Sequence, residues 1–256
     1  MSVRIFVNNE GVLVDQTNTF GLAQTSGLWK SLEIGDIDND GDFDLIAGNI
    51  GCNTFYEAKM KMFIADFDGN GFQEQLICKE KEGKYYPIAD KDELVSQIPS
   101  LKKTLLYYAD YAKADMTSIF AEEALKNSYT SELHKIESGI FLNEKGSFVF
   151  KKLPEEIQYS PIYAISIEDI DNDGHQDFFF GGNQYLVKPQ FGRYDASKGW
   201  AIFGPYLSED IKQEVLPLYI DGQIRQLHWT DFDGKKILTV GRNNEETHFY
   251  EFKDTH

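Results

Sequence analysis

The stretch GDIDNDGDFDLIAGN, Gly35 to Asn49, places five aspartates within nine residues and then turns abruptly apolar. Like charges at that density repel, and unpaired charge beside a buried strand is costly. A hard divalent cation resolves both problems. The pattern returns as DFDGNGFQE over 66–74 and as DIDNDGHQD over 169–177. Aligned with 36–44, each loop carries oxygen-bearing side chains at positions 1, 3, 5 and 9 and glycine at position 6. A chain wraps calcium in this way: alternate residues point inward, glycine permits the sharp turn, and a backbone carbonyl at position 7 joins the shell. The expected ligands are Asp36, Asp38, Asp40 and Asp44 with the carbonyl of Asp42. The second set is Asp66, Asp68, Asn70 and Glu74 with the carbonyl of Phe72, and the third is Asp169, Asp171, Asp173 and Asp177 with that of His175. Asn70 replaces an acid, so the second loop is expected to bind most weakly.

The flanks decide what holds these loops. An EF-hand needs a bidentate Glu at position 12 and a helix on each side. Position 12 is Ala47, Ile77 and Phe180. The followers DLIAGN, QLICKE and DFFFGGN are short and apolar, and the leads alternate, as in Leu32/Ile34 and Ile165/Ile167. Both features describe strands. A broken copy, HWTDFDGKKILTVGRNN (His228 to Asn244), keeps Asp231 and Asp233 but lacks the later acids. An ordinary hairpin without metal is expected there.

Asp231 follows Asp169 by 62 residues, and four short apolar pieces lie between them. That is the grammar of a four-stranded propeller blade. Asp169 follows Asp66 by 103 residues. The excess falls where strand character is lost, predicting a helical insertion over 92–135 with Asp115 as an N-cap and Ile119, Phe120 and Leu125 as its apolar stripe. Only 30 residues separate Asp36 from Asp66, too few for a four-stranded blade. The sequence reading therefore takes 1–256 as a single mainly β domain, a β-propeller or part of one, interrupted by that insertion. Pairing of the terminal strands RIFVNN and THFYEF in one sheet would mark a ring closed on itself.

The loops and their followers LIAGN, FFFGGN and TVGRNN resemble FG-GAP/VCBS repeats, the calcium-loop blades also found in integrin alpha-subunit propellers. RIFVNNEGVLVDQTNTFGL and GIFLNEKGSFVFKKL resemble the strand-turn-strand that precedes the loop in such repeats, and KPQFGRYDASKGW (Lys188 to Trp200) resembles a segment of bacterial surface-exposed VCBS proteins. The resemblance implies a propeller fold, calcium in the blade turns, and an extracellular, cell-surface or periplasmic location. With about four repeat signals and no signal peptide, it also implies either a compact arrangement of four to five blades or a fragment of a larger ring.

The formal charge is −17. That argues against nucleic acid and anionic membrane surfaces, whose binders present basic patches. No apolar run is long enough to span a bilayer. Cys52 and Cys78 are expected as buried free thiols. Five scattered histidines offer no zinc-ligand spacing. Tyr107, Tyr108 and Tyr111 have helical spacing and are expected in a core. Lys188, Arg193, Tyr194, Asp195 and Trp200 form a candidate ligand loop, against which stands a plain Arg193–Asp195 pair ordering a long loop. No nucleophile with a base and no phosphate or dinucleotide fingerprint occurs. The reading favoured here is a non-catalytic module that binds about three calcium ions and recognises a protein or glycan. The alternatives are a propeller lyase or hydrolase acting on polysaccharide, and a purely structural part of a larger assembly.

Overall fold

The computed structural model describes residues 1–206 and 213–253. It is mainly β, 37% strand against 14% helix, arranged as several small sheets. The chain falls into two compact units: Met1–Tyr56 with Lys135–His256, and Glu57–His134. The expected single domain is thus divided. The inserted stretch is 57–134 and carries a sheet of its own.

In the first unit, the hairpin Phe6–Asn9/Val12–Asp15 turns at Glu10-Gly11, both at positive φ. Three meanders follow. The first has the order Ser31–Gly35, Asp44–Gly48, Gly139–Asn143, Phe148–Lys152, with the second unit inserted between its middle strands. This explains the short Asp36–Asp66 spacing, because the second loop belongs to a nested unit and not to the next sheet. The second meander is Ile162–Glu168, Asp177–Gly182, Trp200–Ile202, Leu216–Pro217, and the third is Ile224–Phe232, Lys235–Arg242, His248–Glu251. The terminal strands lie in different sheets, Phe6–Asn9 in the hairpin and His248–Glu251 in the third meander, so they do not pair.

The meanders stack because each strand buries alternate residues on opposite faces. Leu45, Ala47 and Phe141 pack with Val3 and Leu22. From the other face of the same strands, Ile46, Ile140 and Leu142 pack with Ile162, Ile165, Phe178 and Phe180. Phe179, Ala164 and Ala201 then meet Ile224, Leu227, Leu238 and Val240. The fully buried second strands Asp44–Gly48 and Asp177–Gly182 are the centre of this layering. Close stacking needs glycine at one point. A Cβ on Gly48 would lie 2.4 Å from the Ile162 carbonyl, and one on Gly181 would lie 2.3 Å from Ile224 Cγ2. Both glycines stand thirteenth from the first aspartate of their loops, where each meets the first strand of the next sheet.

In the second unit the sheet order is Lys84–Pro87, Glu74–Lys81, Lys61–Ala65, Tyr129–Glu132. Its thirteenth residue is Cys78, and helices cover that face instead. Phe63, Leu76 and Cys78 pack with Leu94 of the helix Lys91–Gln97, Leu101 of the 3-10 turn Pro99–Lys103, and Met116 of the helix Met116–Ile119. Asp115 is the expected N-cap, accepting from Ser118 N at 2.9 Å, and Lys84 sits 2.9 Å from its carboxylate. Those contacts hold its carboxyl well below the usual range.

Several expectations need correction here. Tyr129–Glu132, inside the predicted helical range, is a strand paired with Lys61–Ala65. Tyr107 and Tyr108 are exposed, because the helix Tyr108–Tyr111 is a single turn and presents no continuous face. Tyr108 instead gives its hydroxyl to Asp92, and only Tyr111 turns inward, donating to the Ala89 carbonyl at 2.6 Å. Cys52 is exposed; Cys78 alone is buried, its thiol pushed up to about 12 by desolvation. Among the described residues no helix is long and apolar enough to cross a membrane.

Candidate metal loops

Each acidic loop joins the first and second strands of its sheet and is closed by a paired residue at each end: Gly35 with Asp44, Ala65 with Glu74, Glu168 with Asp177. One hydrogen-bond frame recurs in all three. The first carboxylate accepts from the N–H groups of positions 5 and 6: Asp36 from Asp40 (3.1 Å) and Gly41 (3.1 Å), Asp66 from Asn70 (3.0 Å) and Gly71 (2.8 Å), Asp169 from Asp173 (3.1 Å) and Gly174 (3.0 Å). Position 5 accepts from position 7 at 2.8 Å in every loop, Asp40 from Asp42, Asn70 from Phe72, Asp173 from His175. Position 9 reaches back to the N–H of position 2: Asp44 to Ile37 (2.9 Å), Glu74 to Phe67 (2.7 Å), Asp177 to Ile170 (2.9 Å).

The backbone repeats as well. Positions 4 and 6 take positive φ in every loop: Asn39 and Gly41, Gly69 and Gly71, Asn172 and Gly174. Position 6 was foreseen from glycine. Position 4 was missed, although its signal, Asn or Gly three times, stands in the sequence; these residues tolerate the left-handed region best.

The loops bring acids together as three groups with ligand atoms within 4.8 Å of one another: Asp36, Asp38 and Asp40; Asp66, Asp68 and Glu74; Asp169, Asp171 and Asp177. Each group could hold a metal ion. Asp44 and Asp173 stand outside these triads, and the Asn70 amide oxygen accepts from Phe72 N. Side chains at position 7 stay out of the triads: Asp42 is exposed, Phe72 is 77% exposed, and His175 turns to Asn39 Nδ2 at 3.1 Å. The ninth residue anchors the loop to the core. Asp44 also accepts from Asn143 N and Asp177 from Gly204 N, both at 2.8 Å, so each ties its loop to the third strand's end of the sheet.

Burial without a full counter-charge raises the carboxyl of Asp44 and pushes that of Asp177 up to about 6, while the surrounding N–H groups hold Asp66 down. The sign for Asp177 is unusual. A folded-state value above the unfolded one means that the native state binds the extra proton between about pH 4 and pH 6, so stability falls as pH rises through that window. Cation-free protein is therefore expected to melt roughly 5 °C higher at pH 5 than at pH 7, measured by circular dichroism in chelator. Asp177→Asn should abolish most of this difference.

The fourth copy is the expected plain hairpin. Phe232 pairs with Lys235 across Asp233-Gly234, both at positive φ, the geometry of a type I′ turn. The candidate ligand loop is divided by burial. Tyr194 and Trp200 are buried, the Tyr194 hydroxyl lying 2.9 Å from Thr54 Oγ1, so neither faces a ligand. Lys188, Arg193 and Asp195 are exposed, with Arg193 3.6 Å from Asp195. Asn49 and Asn183, which end the followers quoted above, are buried hubs that the motif reading passed over. Asn49 Nδ2 donates to the carbonyls of Lys135 and Glu137, and Asn183 Nδ2 to those of Ser197 and Gly222. No protein-family model matches the chain, and no curated protein matches it.

Proposed function

We propose that the chain is a calcium-binding β-repeat module of the FG-GAP/VCBS kind, its stacked sheets serving as consecutive propeller blades, and that it acts outside the cytosol in non-catalytic recognition of a protein or glycan. The observation that carries this reading is the recurrence of one hydrogen-bond frame and one pattern of positive φ in three loops separated widely in sequence. A solvated acidic turn has no reason to repeat its backbone so closely or to bury its ninth carboxylate each time. Loops rich in carboxylate and carbonyl oxygen suit calcium, which accepts six to eight oxygens in flexible geometry, better than magnesium, which demands a strict octahedron. The acids are tied to their own loop backbone, which suits structural clamps and not proton transfer. Extracellular modules bind calcium at about 10⁻⁴–10⁻³ M, so such sites load outside cells.

Isothermal titration tests the metal assignment. Calcium is expected to fill three sites, weakest in the loop with Asn70, while magnesium gives little heat. The pair Asp169→Asn and Asp171→Asn should remove one site and leave two. Absence of calcium binding up to 10 mM, about ten times the weak end of the extracellular range, would overturn the reading.

A further inference from the structure

We propose that Lys30, Tyr163 and Arg225 form a binding site for a carboxylate group, carried by an acidic sugar or a small dicarboxylic acid. The site stands apart from the acidic loops and does not depend on them. Lys30 directly precedes the first strand of the first meander, while Tyr163 and Arg225 are the second residues of the first strands of the other two. The loops lie at the opposite ends of those strands.

Two β-bulges aim these side chains. The pairing register shifts between Ile162 and Ala164 and again between Ile224 and Gln226, so Tyr163 and Arg225 each occupy a bulge and leave the regular alternation of the sheet. Bulges commonly re-aim a side chain in this manner. The result is two cations on one ring. The Arg225 guanidinium carbon lies 3.9 Å from the Tyr163 ring centroid, and Lys30 Nζ lies 5.5 Å from it.

The frame around them is ordered. Arg225 Nη1 donates to the carbonyls of Asn183 (3.0 Å) and Ile224 (2.9 Å), and Nη2 to Gln223 Oε1 (3.3 Å). The same Gln223 oxygen accepts from Tyr185 N at 2.9 Å, and the Tyr163 hydroxyl donates to Gln184 Oε1 at 2.7 Å. A second stack adjoins, with Arg193 3.8 Å above the Tyr185 ring.

What this frame lacks is an anion. The chain has 42 acidic residues against 25 lysines and arginines, yet among the described residues neither Lys30 nor Arg225 has a carboxylate within ion-pair distance. Burial and the nearby Arg225 charge lower the Lys30 ammonium, and burial lowers Arg225. Two like charges held over one ring with no carboxylate beside them repel, and the half-buried Arg225 is only partly screened by water. A carboxylate answers the charge: Nη1 is spent on the two carbonyls, which leaves the Nε–H and the second Nη2–H of Arg225 as donors, with the Lys30 ammonium over the same ring. Lys30 is exposed, so the site is open to solution.

The test follows amide and side-chain resonances of the intact chain, in calcium, during titration with D-glucuronate, with succinate, and with the neutral isostere glucuronamide. Shifts centred on Tyr163 and Arg225 are expected for at least one anion, with glucuronamide at least ten-fold weaker. Preference for glucuronate assigns a sugar acid, and preference for succinate a small diacid; either supports the site. Lys30→Met, a change at an exposed position, should weaken binding about ten-fold, with an unchanged melting curve as its fold control. No shift with either anion, equal binding of glucuronamide, or undiminished binding by Lys30→Met would overturn the proposal.

Discussion

Excess chelator is expected to lower the melting temperature by on the order of 10 °C, and calcium, but not magnesium, to restore it. The reasoning is linkage. A ligand that binds only the folded state stabilises it by about 2.7 kcal/mol per site at a hundred times Kd. Two of the three loops belong to the first unit and one to the second, so each unit would carry a calcium term of its own. At about 2–4 °C per kcal/mol for a chain of this size, the loss is large and easily read. Charge acts in the same direction: three dications would move the formal balance from −17 to about −11 and relieve self-repulsion within each loop. Scanning calorimetry with calcium, with magnesium and with chelator makes the comparison. Identical curves in all three would mean that the N–H groups of the loops suffice to hold the acids, and the structural role of calcium would fail.

Gly48→Ala is expected to cost about 3 kcal/mol or more, a drop of roughly 6–12 °C. The added methyl would sit 2.3 Å from Ser31 Oγ and 2.4 Å from the Ile162 carbonyl. The second of these is backbone in the next sheet and cannot rotate away. Gly181→Ala is its counterpart, with a Cβ only 2.3 Å from Ile224 Cγ2 of the third sheet. Gly241→Ala is the internal control. It belongs to the third sheet, and its nearest neighbour is Gln226 Cβ at 3.3 Å within that same sheet. A small relaxation accommodates it, so its effect should stay within about 1 kcal/mol. Melting curves of the three variants, recorded in calcium, check the series. Equal losses at Gly48 and Gly241 would show that backbone propensity, and not the approach of the next sheet, sets the cost.

The loops were legible because their chemistry is local. Nine consecutive residues specify their own turn, and both the glycine at position 6 and the acid at position 9 can be read from types alone. The same locality made the broken fourth copy readable, since Asp233-Gly234 leaves room for nothing but a two-residue turn. Asp115 was legible for the same reason, because a cap serves the N–H groups that follow it directly. Tyr107 and Tyr108 were misread because spacing predicts a face only where a helix persists, and a one-turn helix buries none. Tyr194 and Trp200 were misplaced because an aromatic residue in a loop has no local signature of burial; the neighbouring strands decide it.

Amino-acid order by itself determined the three acidic hairpins, the strands that carry them, the absence of an EF-hand and the β character of the chain, all of which rest on contacts within about a dozen residues. Tertiary structure alone decided that the second loop sits in a nested unit of its own, that Gly48 and Gly181 exist for the neighbouring sheet while Cys78 serves a helical cover, and that Lys30, Tyr163 and Arg225 converge. Those outcomes join residues that are not neighbours in sequence, Gly48 with Ile162 and Lys30 with Tyr163 more than a hundred positions apart, and no short-range pattern records which distant strand will lie against a given face.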